Sequence, residues 1–353
     1  MLYKNSVTAL TMRRQCFGAN IDRAAYNDLF RLMSPVLTPF WCRPGSPPGL
    51  VFRAGFDEYS HVYDMRSRRI IVKGRFQGGG IAYVFSDELP LFAAVYSKDR
   101  RRLSYREVEL LEMLEREGPL NIGMIKDITG WLAKEITPAL HKLQQKFLVF
   151  EDQADNEWDR AWYLFETEFP DTDLDEYTKT EAMKTIITRF THGNVFISVD
   201  MLRSYYRLPA AEIEAAVSGL LEENTLSGIT IEGGTGYVLS EDIPLLETGQ
   251  TPPESVYVLH RNDFLVKSNE YRLKEQFHHD ILTVLQYILL DGVFKGFVAG
   301  YIKNGPFVIE DIVLDMDRAE AGKRRREIIE AVGLVNDPEL SPVKRYCGER
   351  LVR

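Results

Sequence analysis

The sequence predicts an α+β protein of three tandem winged-helix (helix-turn-helix) domains followed by a small antiparallel β domain with a C-terminal helix. Three observations predict it. Helical pairs recur along the chain, each closing on strand-like runs; one hairpin ending occurs three times; and the last hundred residues turn β-rich. Boundaries are expected at 1–103 for a basic N-terminal winged-helix domain, 104–172 for the second and 173–250 for the third. A C-terminal β-rich domain takes 251–353.

In the first copy, "RRIIVKGRF" and "GIAYVF" read as strands, with Gly78, Gly79 and Gly80 between them. The triplet fits a hairpin turn and matches no phosphate-loop spacing. "IAYVFSDELPLF" from Ile81 then returns as "TGYVLSEDIPLLE" from Thr235.

In the second and third copies, "YREVELLEMLEREGPL" and "TEAMKTIITRFTHGNVFIS" are helical runs expected to end at Gly118 and Gly193. A second short helix follows each. "ITPALHKLQQKFLVFED" and "LPAAEIEAAVSGLLEENTL" come next, each expected to carry its Pro in the first turn, where a missing N–H costs nothing. Ile136, Leu140, Leu143 and Phe147 share one helical face in the former; Ile213, Ala216, Val217, Leu220 and Leu221 do so in the latter. "AWYLFETEFP" and "TGYVLSEDIP" supply the closing strands.

The final segment, "TVLQYILLDGVFKGFVAGYIKNGPFVIEDIVLDM", holds three β-rich runs joined at Asp291-Gly292 and Asn304-Gly305, strong hairpin signals. An antiparallel meander is expected there. "AEAGKRRREIIEAVGL" follows as a helix, with Lys323 to Arg326 on a solvated face.

Composition bounds the function. The 353 residues are 45% apolar and 27% charged, with no apolar run long enough to cross a membrane and no signal-peptide core in "MLYKNSVTALTMRR". A cytoplasmic monomer is expected, with no membrane partner. Cys16, Cys42 and Cys347 lie far apart and outside any C-x-x-C, so they read as reduced thiols with neither disulfide nor metal. No cofactor is expected.

Charge is unevenly distributed. Residues 1–106 carry 17 Lys and Arg against 8 Asp and Glu, leaving 26 against 44 for the remainder of a chain whose net charge is -9. A basic block is the footprint expected for a polyanion, or else a solvated basic face. Double-stranded DNA is the expected partner, contacted through Arg13, Arg14, Arg43, Arg53, Arg66, Arg68, Arg69, Lys73 and Arg75.

A reading helix lays its outward side chains against bases and phosphates. The helix from Pro209 to Asn224 presents Glu212, Glu214, Glu222 and Glu223 with no Lys or Arg, so it is expected to be scaffold, although Arg203 and Arg207 can reach a backbone. Its counterpart in the second copy offers Lys142 and Lys146 beside His141, Gln144 and Gln145, a set suited to backbone contact or to a solvated face.

These stretches resemble a known family, the tandem winged-helix DNA glycosylases of AlkZ/YcaQ type. "GPLNIGMIKDITG", "ALHKLQQKFLVFED", "WDRAWYLFE" and "DMLRSYYRLPAAE" follow the order of its central and third winged helices. "VYVLHRNDFLVKSNEYRLKEQF" is similar to the opening of its C-terminal β domain, with Asp263 at the position of a characteristic Asp. The resemblance covers roughly residues 105 to 290 and implies a C-shaped scaffold around DNA. It also implies DNA repair by hydrolysis of the N-glycosidic bond of alkylated or crosslinked bases.

The family's catalytic motif is missing. The resemblance puts a water-holding Gln-aliphatic-Gln or Gln-x-Asp in the region "LFRLMSPVLTPFW", which has no Gln, Asp or Glu, and its Arg-Gly-Thr-Leu-His signature faces "FQGGGIAY". Hydrolysis needs a group to orient or deprotonate water. The nearest substitutes are Glu58 as base, with Asp57 and His61 supporting it in "FDEYSH"; Gln77 is a weaker one. The reading is therefore a DNA-binding protein of glycosylase-like architecture whose activity the sequence leaves open. A winged-helix transcriptional regulator and a non-catalytic interaction scaffold are the alternatives.

Overall fold

The structure, a computed structural model, describes residues 2–38, 48–153, 160–231, 234–302 and 306–351. Arg43, Cys42 and the expected turn at Asn304-Gly305 lie outside the described residues.

The chain opens with α1 (Leu2–Arg14) and α2 (Arg23–Leu32), followed by β1 (Val36–Leu37), α3 (Glu58–Ser67), β2 (Ile71–Phe76), β3 (Gly80–Phe85) and α4 (Leu89–Tyr96). Asp22 and Asp57 start α2 and α3 by accepting the backbone N–H groups of Ala25 at 2.9 Å and Ser60 at 3.2 Å. The three strands form an antiparallel sheet in the order β1-β3-β2.

A second group comprises α5 (Tyr105–Glu117), β4 (Leu120–Asn121), α6 (Ile122–Thr129), α7 (Ala133–Gln145), β5 (Val149–Asp152), β6 (Ala161–Leu164) and α8 (Phe165–Glu168), with sheet order β4-β6-β5. Ser104 and Glu107 exchange hydrogen bonds across the first turn of α5, and Gly118 closes that helix at φ +80°. Pro138 is not in the first turn of its helix. The Glu135 carboxylate accepts the Leu132 N–H at 3.0 Å, so α7 begins at Ala133 and Pro138 sits inside it.

The third group runs α9 (Lys179–Asn194), α10 (Val199–Tyr206), α11 (Ala210–Glu222), β7 (Leu226–Ile231), β8 (Gly234–Leu239) and α12 (Ile243–Leu246). Here Gly193 does not end the helix: α9 continues to Asn194 and stops at Val195, whose φ is +64°. Gly193 serves packing instead, because a Cβ there would stand 3.2 Å from the Phe264 ring.

A six-stranded sheet follows, built from β9 (Val256–His260), β10 (Thr283–Leu290), β11 (Val293–Tyr301), β12 (Val308–Leu314), β13 (Arg345–Tyr346) and β14 (Glu349–Arg350) in the order β14-β13-β12-β11-β10-β9. Two short helices, α13 (Phe264–Ser268) and α14 (Glu270–Gln276), follow β9, and α15 (Arg318–Val335) follows β12. Asp291 and Gly292 turn β10 into β11 with φ of +50° and +76°, the conformation an Asp-Gly hairpin adopts. The sheet is not wholly antiparallel. Because α15 carries the chain across before β13 begins, β13 pairs with β12 in parallel.

Packing does not follow sequence order. Tyr26, Phe30 and Phe76 share one apolar core with Phe147 and Phe165 of the second group, Phe190 and Tyr205 of the third, and Phe264 of α13. The second group has a core of its own, centred on Leu110, Ile136, Leu140 and Trp162. Helix α1 packs away from the elements it precedes: Leu10 meets Val195 and Val238, and Met12 meets the face of the six-stranded sheet.

Candidate nucleic-acid interface

A cleft of about 1100 Å³ lies where the four groups of elements meet. Leu37, Thr38 and Gln77 line it from the first group, Gln153 and Arg160 from the second, Tyr205 and Arg207 from the third, and Asn262, Lys274 and Tyr287 from the last. Asn262 ties two of these walls together by donating to the Thr38 carbonyl at 2.6 Å.

Two carboxylates, Glu151 behind the cleft wall and Glu270 in it, each gather three cations. Glu151, on β5 and with no exposed side chain, has Arg160 at 2.8 Å, Lys73 at 3.3 Å and Arg75 at 3.9 Å. Burial opposes its charge, but the three cations outweigh burial and hold its carboxyl below the usual range. Glu270, at the start of α14, pairs with Arg207, with Lys274 at 3.0 Å and with Lys267 at 3.1 Å, and is held low in the same way against its own burial. Each cluster keeps two positive charges in surplus. Lys73, Arg160, Arg207, Lys267 and Lys274 all face the cleft, so its walls are electropositive despite the acidic balance of the chain.

The residues expected to touch DNA are distributed differently. Burial removes four of them: Arg53, Arg66, Lys73 and Lys146 expose almost nothing. Arg53 binds Asp263, Arg66 binds Asp152, and Lys146 binds Glu107 at 3.1 Å and the Arg102 carbonyl at 2.5 Å. Only Lys73 of the four borders the cleft. Arg14, Arg69 and Arg75 are half-buried and bound to protein groups: Arg14 to Asp242, Arg69 to Asp152 and Glu168, and Arg75 to Gln144 and His141. Arg13 and Lys142 are exposed, and Arg68 is 66% exposed beside Asp64.

Much of the basic block therefore faces the chain's own acids. Arg66 and Arg69 meet Asp152 while Lys73 and Arg75 meet Glu151, so four cations on the first group clasp the acidic strand β5 of the second. The outward acids of α11 are likewise engaged, Glu212 with Lys179 and Glu223 with Lys184.

The "FDEYSH" cluster stands apart from the cleft, since none of its residues lines it. Asp57 caps α3, and its bonds to Ser60 keep its carboxyl below the ordinary range. Glu58 accepts the Tyr26 hydroxyl at 2.6 Å and the Leu50 N–H; burial pushes its carboxyl up, and those bonds only partly offset this. His61 meets Asn27 at 3.0 Å and lies edge-on to Tyr26 and Phe56; burial pushes it down. Glu58 and His61 hold α3 against α2, while Asp57 bonds within the first turn of α3.

Sequence reasoning missed Arg160, Lys267, Glu270 and Lys274. No local signal marks them, because charged residues on short helices and loops converge only in the fold. His278 and His279 follow α14 in a non-helical segment, and both line the cleft. Among the described residues no group of His, Cys, Asp and Glu is arranged to hold a metal ion, and no helix is long and apolar enough to cross a membrane.

Comparison with known proteins completes the picture. A family model described as AlkZ-like DNA glycosylase matches residues 52–272, more than half of the chain. Among solved structures the chain is similar to the DNA glycosylase AlkZ of Streptomyces sahachiroi, with a TM-score of 0.70 and 14% identity over 97% of this chain and 98% of that one. No curated protein matches.

Proposed function

Because the chain belongs to the AlkZ-like DNA glycosylase family, we propose that it seats duplex DNA in the central cleft and acts there on an alkylated or crosslinked base. The observation that carries this reading is the pair of cation clusters around Glu151 and Glu270, which bring Arg160, Arg207, Lys267 and Lys274 to the cleft. Surplus cations from several elements of one cleft suit a polyanion, and phosphates attract them irrespective of sequence.

We read the first three groups of elements as winged helices. The order helix, short strand, helix pair and hairpin in the second group supports this, as do the three-stranded sheets of the first and second. They act here as walls. The third group's α11 turns an acidic face outward, while Arg207, just beyond α10, points its charge into the cleft.

Chemistry at such a site is constrained by what lines it. The segment Val36 to Thr38 brings no carboxylate and no amide to the cleft, and the Glu270 carboxylate is enclosed by three cations. Duplexes carrying a plain site, an abasic site or a methylated purine test the reading, with binding followed by anisotropy and excision by strand cleavage in alkali. Salt-sensitive binding with release of the methylated base is expected. Binding without release, on alkylated and crosslinked duplexes alike, would leave a DNA-binding protein that lacks the reaction; absence of salt-sensitive binding would favour an interaction scaffold.

A further inference from the structure

Gln77 opens the turn between β2 and β3 with φ at +46°, in the left-handed region that residues other than glycine adopt at a cost. The turn is held by the Gly79 N–H, which donates to the Phe76 carbonyl at 2.8 Å, and it lies against Arg207: a Cβ on Gly78 would stand 3.5 Å from the Arg207 Cβ. This backbone turns the Gln77 side chain inward, where it is 8% exposed and forms part of the cleft wall.

Neither amide atom of Gln77 makes a hydrogen bond of ordinary geometry among the described residues. The Tyr205 hydroxyl, which donates to the Met33 and Pro35 carbonyls, interacts with the amide but leaves its oxygen and an N–H unfilled. A buried amide whose oxygen and N–H are left unfilled is costly, which implies a ligand that supplies both a donor and an acceptor. Such a ligand must present an acceptor and a donor side by side. A nucleobase edge does this, and glutamine pairs with one through two parallel bonds; a phosphate offers acceptors alone.

We propose that Gln77 reads the hydrogen-bonding edge of a nucleobase drawn out of the duplex into the cleft. Arg160 and Arg207, which line the same cleft, suit the phosphates that flank such a base. Gln77 is then the specificity residue of the cleft, contributed by a hairpin turn and not by β1. The inference rests on the reading that duplex DNA occupies the cleft.

The test uses the intact protein and duplexes in which one base, A, C, G or T, stands unpaired opposite a tetrahydrofuran abasic analogue. A control duplex carries tetrahydrofuran on both strands. The wild type is expected to bind at least one unpaired base about tenfold more tightly than the control, the discrimination one bidentate pair supplies. Gln77→Leu is expected to bind all five duplexes with the control's affinity. Gln77→Asn, which suits the left-handed backbone and withdraws the amide by one methylene, retains the fold and is expected to lose the same preference. A preference that survives in both variants, or a wild type with none, overturns the role of Gln77 and leaves DNA occupancy standing. A wild type that binds none of the duplexes at low salt overturns both.

Discussion

Arg53 and Asp263, 210 residues apart, form an ion pair of 2.8 Å with 0% and 8% of their side chains exposed. Arg53 also donates to the carbonyls of Gln15 and Val51, and Asp263 accepts the Leu265 N–H at the start of α13. The pair fastens the first group of elements to the turn between β9 and α13. Asp263→Ala leaves a buried guanidinium without its counter-charge, and a loss of about 3–5 kcal/mol is expected in urea unfolding. Replacing both partners, with Arg53→Met and Asp263→Leu, is expected to recover part of that loss; a single variant as stable as wild type would deny the pair its structural role.

DNA affinity is expected to follow the cleft clusters. Arg207→Ala and Lys274→Ala should each weaken binding to every duplex and lower the slope of log affinity against log salt by about 0.9 for each phosphate that is no longer neutralised. Glu214→Ala, on the acidic face of α11, should leave the slope unchanged. An unchanged slope in both cleft variants would move the interface elsewhere, with Arg13, Arg68 and Lys142 the exposed candidates.

Glu58 is expected to serve stability and not the reaction. Glu58→Ala leaves the Tyr26 hydroxyl and the Leu50 N–H without their acceptor, which costs about 1–3 kcal/mol. Glu58→Gln keeps an acceptor there, and excision by that variant should match wild type. A fall of about 100-fold or more would restore Glu58 as a general base.

Burial, reinforced by the nearby charges of Arg261 and Lys267, pushes the His260 imidazole down to about 3. In the unfolded chain it takes up a proton near its ordinary value of about 6.5. The folded state therefore binds fewer protons between those values, and this contribution to stability is complete above about pH 6.5 and lost as pH falls toward 3. From pH 7 to 5 it should cost on the order of 2 kcal/mol. His260→Gln is expected to flatten the dependence of the urea midpoint on pH over that range, and an equally steep profile in the variant would assign the acid sensitivity to other groups such as His141, which burial pushes down to about 4.

Local physics made much of the architecture legible. The apolar spacing of Ile136, Leu140 and Leu143 and the Asp291-Gly292 turn act within a few residues, so the α+β character, the helical runs of the second and third groups and the β10–β11 hairpin followed from the sequence alone. Charge was legible as a total and not as a destination. Whether Arg66 and Arg69 meet a phosphate or Asp152 depends on which strand packs beside α3, and only the tertiary structure decided for Asp152. The same holds for the cleft, whose walls come from stretches as distant as Leu37 and Tyr287, and for Gln77, whose inward direction depends on a left-handed turn packed against Arg207. Short-range propensities determine elements; the convergence of charges and of a buried amide is a long-range consequence of how those elements bury their apolar faces.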